Sequence, residues 1–355
     1  MKLCLVVGAR PNLMKVAPII REVKKYLDIE YVLVHTGQHY SSNMSDVFFN
    51  DLDIPEPEVN LGITSSKVMI VDLISNVFML RKPDIVVVFG DVDSTLYTSI
   101  AASKAGYKLA HVEAGMRSFD RSMPEELNRI VTDILSDLLF TTTEYDTNNL
   151  LREGVERTKI FQVGDIMIDN LLYNLPLVKD IFVPKKDYIL VTLHRQSNVD
   201  VKENLETILL VLNELSRKVN VIFPLHPRTK KTIKQFKFEN LLQNIEVVNP
   251  MSYLKFLAFM LKAKIVVTDS GGIQVETTAL NIPCITLRDN TERPYTVESG
   301  TNVLVGNDQN KILTESFNIL SGNQKIPLVN GGQWFDGRAA ERIVKILYES
   351  TKKGV

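Results

Sequence analysis

Short apolar runs alternate with helical patterns along this chain of 355 residues. In the first half, the apolar runs predict strands at Leu3–Val7, Tyr31–His35, Ile85–Phe89, Leu109–Val112, Leu138–Thr141 and Ile160–Val163. Most of these runs are continuously apolar, which is typical of parallel strands that helices cover on both faces. Helical patterns such as Thr95–Ala105 and Glu144–Arg152 lie between them. The rhythm therefore predicts an α/β protein built on parallel sheets.

The second half repeats this rhythm, which predicts a second domain. Its predicted strands are Tyr188–Leu193, Asn220–Pro224, Ile245–Val248, Ile265–Thr268 and Cys284–Leu287. A chain of 355 residues also exceeds the size at which one hydrophobic core keeps growing. The stretch Asn174–Lys186 interrupts the alternation with two prolines and is predicted to be a linker. We expect one domain over residues 1–173, with a C-terminal helix over 337–355 packing back on it, and another over 187–336. The predicted architecture is two Rossmann-like domains facing a central cleft.

Composition narrows the class of protein. The formal net charge of -1 gives no global attraction to nucleic acid or to an anionic membrane, so we expect neither as a partner. Cys4 and Cys284 lie in apolar runs, which predicts buried thiols rather than a disulfide. The N-terminal apolar run is only about five residues long, too short for a signal peptide, and we expect a cytoplasmic protein. No metal-binding spacing and no Gly-x-Gly-x-x-Gly fingerprint occurs, so we expect neither a metal nor a nicotinamide or flavin cofactor.

Ionisable residues follow the predicted strands of the first half. In an open parallel sheet, ligands bind beyond the carboxyl ends of the strands. Arg10 and Lys15 follow the first strand, Asp91 follows Gly90 after another, and Glu113 ends a third. A buried carboxylate is costly unless it is partnered or functional, so Asp91 and Glu113 are the strongest catalytic candidates. Arg10 and Lys15 are candidate phosphate contacts, although either could be an ordinary surface cation.

A proline-started helix follows Glu113 and begins with two acidic residues. Pro124 suits the first position of a helix, and Glu125 and Glu126 come directly after it. A strand leading into clustered ionisable groups and then a helix is a common way to mount acids and bases. At least one of these two carboxylates is expected only to complement the helix dipole.

The second half carries a corresponding set of residues. His194 and His226 each follow a predicted strand, and Asp269-Ser270-Gly271-Gly272 follows another. That last turn could be an ordinary capped βα turn, or its N–H groups could cradle a diphosphate. Glu276, one helical turn further on, is a candidate for contact with ribose hydroxyls. His194 and His226 could also be structural imidazoles.

These motifs occur together in one order. They are Gly8-Ala9-Arg10-Pro11…Lys15, Gln38-His39, Gly90-Asp91, His111-Val112-Glu113-Ala114-Gly115, Pro124-Glu125-Glu126-x-Asn128-Arg129, Thr192-Leu193-His194-Arg195, Asp269-Ser270-Gly271-Gly272-x-Gln274 and Thr291-Glu292-Arg293-Pro294. The set resembles the non-hydrolysing UDP-N-acetylglucosamine 2-epimerases over essentially the whole chain. The resemblance implies a GT-B fold, a UDP-sugar substrate, no redox cofactor and a homodimer. It also implies reversible conversion of UDP-N-acetylglucosamine to UDP-N-acetylmannosamine, in the service of surface polysaccharide or glycan synthesis.

The resemblance also implies roles for individual residues. The C2 proton of the sugar is barely acidic, so the family reaction proceeds by anti elimination of UDP, a 2-acetamidoglucal intermediate and re-addition of UDP. By motif match, the catalytic set is Asp91, Glu113, Glu125 and His194, with His194 facing the diphosphate together with Arg10 and Lys15. The remaining substrate-binding set is His226, Ser270, Gly271, Gly272, Glu276 and Arg293. Which carboxylate serves which face of C2 stays open.

Three departures from the family pattern leave alternatives open. Ala9 and Asn12 replace the threonine and glutamate that are common in the first motif, and Tyr295 stands where many members have glutamate. The chain could therefore accept a related sugar such as UDP-2,3-diacetamido-glucuronic acid. A GT-B glycosyltransferase and a non-catalytic nucleotide-sugar sensor are further alternatives, but neither explains the complete set of carboxylates.

The segment Leu61–Val71 looks shortened relative to many members and lacks a Gln-Thr pair. In many bacterial relatives, this segment and the Gln38-His39 motif help bind a second, activating UDP-N-acetylglucosamine. Because the segment here offers only Lys67 as a cation, we predict weak or absent activation and hyperbolic kinetics.

Overall fold

The computed structural model describes residues 1–37, 49, 51–63, 69–322 and 335–352. The chain forms two compact units. The first comprises Met1–Tyr173 together with the C-terminal part of the chain, and the second begins at Asn174. Both units have the parallel α/β organisation that the sequence predicts, so the predicted α/β class with two Rossmann-like domains is confirmed.

The first unit contains a parallel sheet that has seven strands among the described residues. In chain order the strands are β1 (Lys2–Val7), β2 (Glu30–His35), β3 (Val59–Asn60), β4 (Ile85–Phe89), β5 (Lys108–Ala114), β6 (Leu138–Thr141) and β7 (Ile160–Gln162). Their order across the sheet is β3-β2-β1-β4-β5-β6-β7. The direction of winding reverses between β1 and β4, and such a reversal opens a crevice at the carboxyl ends of the strands.

Helices connect these strands. They are α1 (Arg10–Val23), α2 (Met69–Arg81), α3 (Asp93–Lys104), α4 (Pro124–Leu135), α5 (Glu144–Arg152), α6 (Ile166–Asn174) and the C-terminal α14 (Ala339–Lys352). The C-terminal helix packs on α1. Asp169 on α6 holds its first turn, because its carboxylate accepts the backbone N–H groups of Ala339 at 3.1 Å and Ala340 at 2.7 Å.

The second unit contains a parallel sheet with six strands among the described residues, in the order β10-β9-β8-β11-β12-β13. The strands are β8 (Tyr188–Thr192), β9 (Asn220–Pro224), β10 (Glu246–Val248), β11 (Ile265–Thr268), β12 (Cys284–Thr286) and β13 (Asn302–Leu304). The helices are α7 (Gln196–Val199), α8 (Lys202–Ser216), α9 (Pro227–Phe236), α10 (Tyr253–Met260), α11 (Gly271–Ala279), α12 (Pro294–Glu298) and α13 (Gln309–Leu320). Here the winding reverses between β8 and β11, which places the predicted crevice beyond those two strands.

Apolar side chains on both faces of each strand explain why the predicted runs were continuous. In the first unit, Val86 and Val88 of β4 pack in one cluster with Ile74 and Phe78 of α2. The intervening Val87 is also fully buried. In the second unit, the apolar stripe of α8 joins the cluster formed by β8, β9 and β11. Burial of this kind stabilises a fold by about 25 cal/mol per Å² of apolar surface removed from water.

Two short strands escaped the sequence prediction. Val59–Asn60 has two residues and Asn302–Leu304 has three, which is too short for an apolar pattern to emerge. The stretch Asn174–Lys186 contains a 3₁₀ turn at Leu175–Val178 that packs on α10 within the second unit. Within the described part of the chain, none of the helices has both the length and the apolar character that crossing a membrane requires.

Candidate functional site

The predicted residues of the first unit gather where its winding reverses. Arg10 opens α1 directly after β1, Gly90 and Asp91 follow β4, and Glu113 lies at the end of β5. The Asn12 side chain joins the ends of β1 and β4. Its Oδ1 accepts hydrogen bonds from the N–H groups of Gly8 at 3.0 Å and Ala9 at 3.1 Å. Its Nδ2 donates to the carbonyl of Phe89 at 2.8 Å. The asparagine that departs from the family motif therefore supports the loop that carries Arg10.

Lys15 and Glu113 form a buried ion pair. The lysine Nζ contacts Glu113 Oε2, and only 7% and 4% of the two side chains are exposed. Gly90 makes room for this pair: a Cβ at position 90 would collide with Lys15 Nζ. The positive φ of 61° at Gly90 also favours glycine. The geometry thus gives Lys15 a carboxylate partner, in addition to the diphosphate contact expected from the family resemblance.

Glu113 has an unusual backbone conformation. Its φ is 70°, in the left-handed region that disfavours side chains other than glycine. The register between β5 and β6 shifts between Val112 and Ala114, so Glu113 is the bulged residue of the strand. Bulges redirect side chains and occur often beside active sites, where strain of roughly 1–3 kcal/mol is tolerated.

Asp91 has its own cation. Arg129 on α4 donates to Asp91 Oδ2 from Nε at 3.0 Å and from Nη2 at 2.8 Å. The guanidinium is buried, whereas 29% of the Asp91 side chain is exposed. Asn128 adds a hydrogen bond to the Asp91 carbonyl at 2.9 Å. Two carboxylates at neighbouring strand ends are therefore each paired with a buried cation.

The two acidic residues that begin α4 differ in environment. Glu126 is buried, and it accepts the N–H groups of Ser118 and Phe119, both at 2.9 Å, and the Ser118 hydroxyl at 2.8 Å. It also pairs with Arg129. Glu125 is exposed. Glu126 is thus the residue with the structural role, and Glu125 remains the catalytic candidate.

A further buried polar group lies behind these carboxylates. His111, in the middle of β5, contacts Asp133 Oδ1 through Nδ1 at 2.6 Å and the Gly90 carbonyl through Nε2 at 2.8 Å. Arg117 approaches Asp133 Oδ2 at 2.8 Å and Glu153 at 2.6 Å. Burial alone would raise the pKa of Asp133, but His111 and Arg117 outweigh burial and lower that pKa.

In the second unit, Asp269 organises the predicted crevice between β8 and β11. Its carboxylate accepts the N–H groups of His194 at 3.0 Å and Arg195 at 2.9 Å, and it faces His194 Nδ1 at 3.1 Å. Burial raises the pKa of Asp269, but the hydrogen bonds and the charge of His194 more than compensate, so the pKa lies below its ordinary value. The His194 side chain itself is 45% exposed. A fixed, solvent-facing imidazole results, which suits contact with an anion.

His226 lies near His194, with the ring centroids 5.7 Å apart. Its Nδ1 accepts the N–H of Arg228 at 3.2 Å and so caps α9. A half-open cavity of about 390 Å³ lies beyond β9 and β10, and its lining consists of Leu225, Lys230, Val247, Val248, Asn249 and Pro250. His226 thus has a structural role, and Leu225, the residue before it, lines this cavity.

Ser270, Gly271 and Gly272 lie at the N-terminus of α11, as expected for a phosphate-binding turn. The Ser270 side chain makes no capping hydrogen bond among the described residues. The turn is therefore not an ordinary helix cap made by the Ser270 hydroxyl. A Cβ at Gly271 would collide with Glu292 Oε1, which explains glycine there. Glu292 in turn pairs with Arg288 at 2.7 Å.

Glu276 is buried on α11 and accepts a hydrogen bond from the Tyr253 hydroxyl at 2.7 Å. Arg293 is also buried, and its backbone N–H donates to Thr291 Oγ1 at 3.1 Å. Thr291 then donates to Gln274 Oε1 at 2.7 Å, which links the Arg293 loop to α11. The predicted residues of the second unit thus cluster around one helix N-terminus and its neighbouring strand ends.

Some predicted features lie outside the described residues. Gln38 and His39 do, as do residues 64–68 of the apparently shortened segment. The expectation of weak allosteric activation therefore stays a prediction. Among the described residues, no group of three or more His, Cys, Asp and Glu side chains is placed to hold a metal ion.

Comparison with known proteins agrees with the motif resemblance. The sequence profile of the family described as UDP-N-acetylglucosamine 2-epimerase matches residues 21–348. The chain belongs to this epimerase family. A Methanocaldococcus jannaschii protein named UDP-N-acetylglucosamine 2-epimerase is 45% identical over 369 residues, covering 98% of this chain and 99% of that protein.

Other members of the epimerase family extend the comparison. The crystal structure of the M. jannaschii UDP-GlcNAc 2-epimerase in complex with UDP-GlcNAc and UDP is similar with a TM-score of 0.92 and 43% identity, covering 98% of this chain and all of that one (100%). A Pseudomonas aeruginosa UDP-2,3-diacetamido-2,3-dideoxy-D-glucuronate 2-epimerase is 38% identical over 358 residues, covering 98% and 99% of the two chains. The GT-B type predicted for the fold is confirmed.

Sequence reasoning assigned no role to several residues that contact the site residues of this epimerase-family chain. Arg129 and Asn128 were quoted only as part of a motif, yet they hold Asp91. Tyr253 holds Glu276, and Asp269 holds His194. Of these contacts, only that between Asp269 and His194 could have been expected from the sequence, since both residues follow predicted strands.

Proposed function

We propose that this chain catalyses the reversible C2 epimerisation of UDP-N-acetylglucosamine to UDP-N-acetylmannosamine. The single observation that carries the proposal is the pair of carboxylates Asp91 and Glu113, which lie at adjacent strand ends and each contact a buried cation. General acid and base groups must be fixed in place to move a weakly acidic proton, and this arrangement fixes them. Family membership supplies the substrate class.

The reaction balances as an elimination followed by an addition. A carboxylate removes the C2 proton while the bond from C1 to the diphosphate oxygen breaks, and the electron pair of that bond leaves with UDP. The C2–H electrons form the C1=C2 bond of 2-acetamidoglucal. A second acid then protonates C2 on the opposite face as UDP returns to C1. No step needs an oxidant or a reductant.

The two ion pairs act on the two carboxylates in the same way. Arg129 is always charged and favours the carboxylate form of Asp91. Lys15 contacts Glu113 and likewise favours its carboxylate form, so the ion pairs alone do not assign the two faces of C2. Glu125, exposed at the start of α4, is the third acid/base candidate.

The remaining residues would bind UDP. Arg10 and His194 would stabilise the leaving diphosphate, and the N–H groups at the start of α11 would contribute there. Glu276 would accept hydrogen bonds from the ribose, and the cavity beside His226 would receive the uracil.

The test of this proposal is incubation with UDP-N-acetylglucosamine in D2O, followed by proton NMR. Formation of UDP-N-acetylmannosamine with deuterium at C2 would support it, whereas net release of UDP with transfer of the sugar to an acceptor would contradict it. Asp91→Asn and Glu125→Gln should each lower turnover by at least about a hundredfold, with UDP affinity nearly unchanged. Glu144→Gln, an acidic residue in the first turn of α5, is the matched control. More than about a third of normal turnover in either variant would remove that residue from proton transfer.

A second substrate has a specific observation in its favour. The P. aeruginosa relative acts, by its name, on UDP-2,3-diacetamido-2,3-dideoxy-D-glucuronate, and it is 38% identical. Tyr295 is the candidate cause of a different sugar preference, and it lies next to Arg293 Nη1 at 3.4 Å. Parallel assays of both sugars decide between them, since the preferred substrate has the higher kcat/KM. The product of either reaction would supply glycan synthesis.

We also propose that the chain forms a homodimer through α4 and its neighbours. Leu127, Val131 and Ile134 are exposed and lie on the side of α4 opposite Arg129. Met79 and Leu80 of α2 are exposed as well, and α3 packs between α2 and α4. An apolar patch on several adjacent helices is typical of a subunit interface. Sedimentation should give a dimer that Ile134→Glu dissociates; a monomeric unmodified chain would contradict the proposal.

A further inference from the structure

His111 is buried completely in β5, two residues before Glu113, and polar groups hold both of its ring nitrogens. Nε2 faces the Gly90 carbonyl at 2.8 Å, and Nδ1 faces Asp133 Oδ1 at 2.6 Å. A carbonyl oxygen only accepts hydrogen bonds, so Nε2 donates to Gly90. The other ring nitrogen contacts Asp133, and the ring therefore links the Gly90 turn to that carboxylate.

The surroundings of Asp133 favour its ionised form. Arg117, whose side chain is 1% exposed, approaches Oδ2 at 2.8 Å, and the Gly115 N–H donates to the same oxygen at 3.1 Å. Burial opposes ionisation, but the interactions with His111 and Arg117 outweigh it and lower the pKa of Asp133. Glu153 pairs with the other side of Arg117.

The His111–Asp133 pair contacts both turns that carry the candidate acid/base groups. The Gly90 turn precedes Asp91 and makes two hydrogen bonds to β5. The Gly90 N–H donates to the Val112 carbonyl at 3.0 Å, and the Gly90 carbonyl accepts a hydrogen bond from His111. The Gly115 turn follows Glu113 and is held by Asp133. Gly90, Glu113 and Gly115 all have positive φ, between 61° and 80°. Glycine adopts this conformation readily, so Glu113 is the residue whose backbone needs support from its neighbours.

We propose that His111 and Asp133 are positioning residues that fix the distance between Asp91 and Glu113 by tying the two left-handed turns to one buried hydrogen-bonded pair. This inference rests on the proposed epimerase function. Neither residue reaches the substrate. Each acts by holding a turn, and a displacement of about 1 Å at reacting groups can cost on the order of a hundredfold in rate.

Substitutions separate positioning from a general loss of stability. In His111→Ala, the Gly90 carbonyl loses its donor and turnover should fall by at least about fiftyfold, with UDP affinity within about twofold. In Asp133→Asn, the amide can donate to a neutral His111 ring and still accept from Gly115, so turnover should stay within about fivefold. The double variant His111→Ala/Asp133→Asn still leaves the Gly90 carbonyl without its donor, so it should remain as slow as His111→Ala.

Leu139→Ala is the control for stability, because Leu139 is fully buried and is the register partner of His111 in β6. It should lose as much thermal stability as His111→Ala while keeping most of its turnover. Two further readouts do not depend on activity. Nitrogen NMR of the unmodified protein should find a proton on His111 Nε2, and hydrogen–deuterium exchange should speed up in both turns of His111→Ala.

Several outcomes would overturn the inference. A His111 ring without a proton on Nε2, unchanged exchange in the turns, or restored turnover in the double variant would each show that the pair does not position the carboxylates. An unmodified protein that fails to exchange the C2 proton would instead count against the proposed function. In that case the exchange and NMR results would still decide whether the pair holds the turns.

Discussion

Removal of Lys15 should destabilise the first unit strongly, because it leaves the Glu113 carboxylate buried without its nearest cation. The two side chains are only 7% and 4% exposed, so water cannot replace the lost partner. Breaking a buried ion pair by removing one partner costs about 3–5 kcal/mol. We therefore expect Lys15→Met to lower the free energy of unfolding by about 3–5 kcal/mol.

The double variant gives the sharper test. Lys15→Met/Glu113→Gln removes both charges of the pair, and replacing a whole buried pair is often close to neutral in stability. It should therefore be at least about 2 kcal/mol more stable than Lys15→Met alone, although it adds a second substitution. Such a gain from a second substitution identifies the charge imbalance left by Lys15→Met, rather than lost packing around the lysine, as the cause.

The measurement is the protection of the β5 amides in hydrogen–deuterium exchange, which reports the free energy of opening at the pair itself. The control is Lys25→Met, which removes a lysine that is 67% exposed and pairs with Glu22 at 2.5 Å; it should cost less than about 1 kcal/mol. If Lys15→Met loses less than about 1 kcal/mol, or if the double variant is no more stable than the single one, the argument from burial is refuted.

Three further predictions concern other parts of the molecule. Glu276→Ala should abolish most of the affinity for UDP. Tyr253→Phe should weaken that affinity about fivefold, because the Glu276 carboxylate loses a hydrogen bond worth about 0.5–1.5 kcal/mol. Unchanged UDP affinity in a calorimetric titration would contradict both predictions. Burial lowers the pKa of His35 from 6.5 to about 4, so between these pH values the unfolded state binds more protons than the folded state. The free energy of unfolding should therefore fall by about 3 kcal/mol, relative to His35→Gln, as the pH falls through this window. A difference between the two proteins that does not vary with pH would exclude this. Burial raises the pKa of Cys4 to about 12 and that of Cys284 to about 11. Iodoacetamide should therefore label both thiols only after unfolding. Rapid labelling of the native protein would be inconsistent with their burial.

Residues at strand ends were predictable, because a parallel sheet collects them at one edge. Asp91 and Glu113 are 22 positions apart in sequence, yet each follows a continuous apolar run, and that pattern predicts that both lie at the carboxyl edge of a sheet. The structure adds that their two strands are neighbours. The same reasoning placed His194 and Ser270 together in the second unit. Here the local pattern and the global fold agree, so the prediction needed no knowledge of packing.

Residues that act on a strand end from a helix were not predictable in this way. Arg129 reaches Asp91 across 38 residues of sequence, and Tyr253 reaches Glu276 across 23. Helical periodicity shows that such a residue faces inward, but not which side chain it meets. Tertiary packing decides the partner, and nothing in a local pattern encodes it.

Glu125 and Glu126 show where this limit falls within a single motif. The sequence presents two adjacent carboxylates in one helical turn, and both suit the dipole. Because successive helical residues are about 100° apart, only one of them can face the loop that leads from β5. Glu126 faces it and is engaged by Ser118, Phe119 and Arg129, so it could not accept a proton without releasing that loop. Glu125 faces solvent instead, and a change in its protonation leaves the fold intact. The packing of α4 therefore decides which carboxylate is available for chemistry, a choice that the motif itself leaves open.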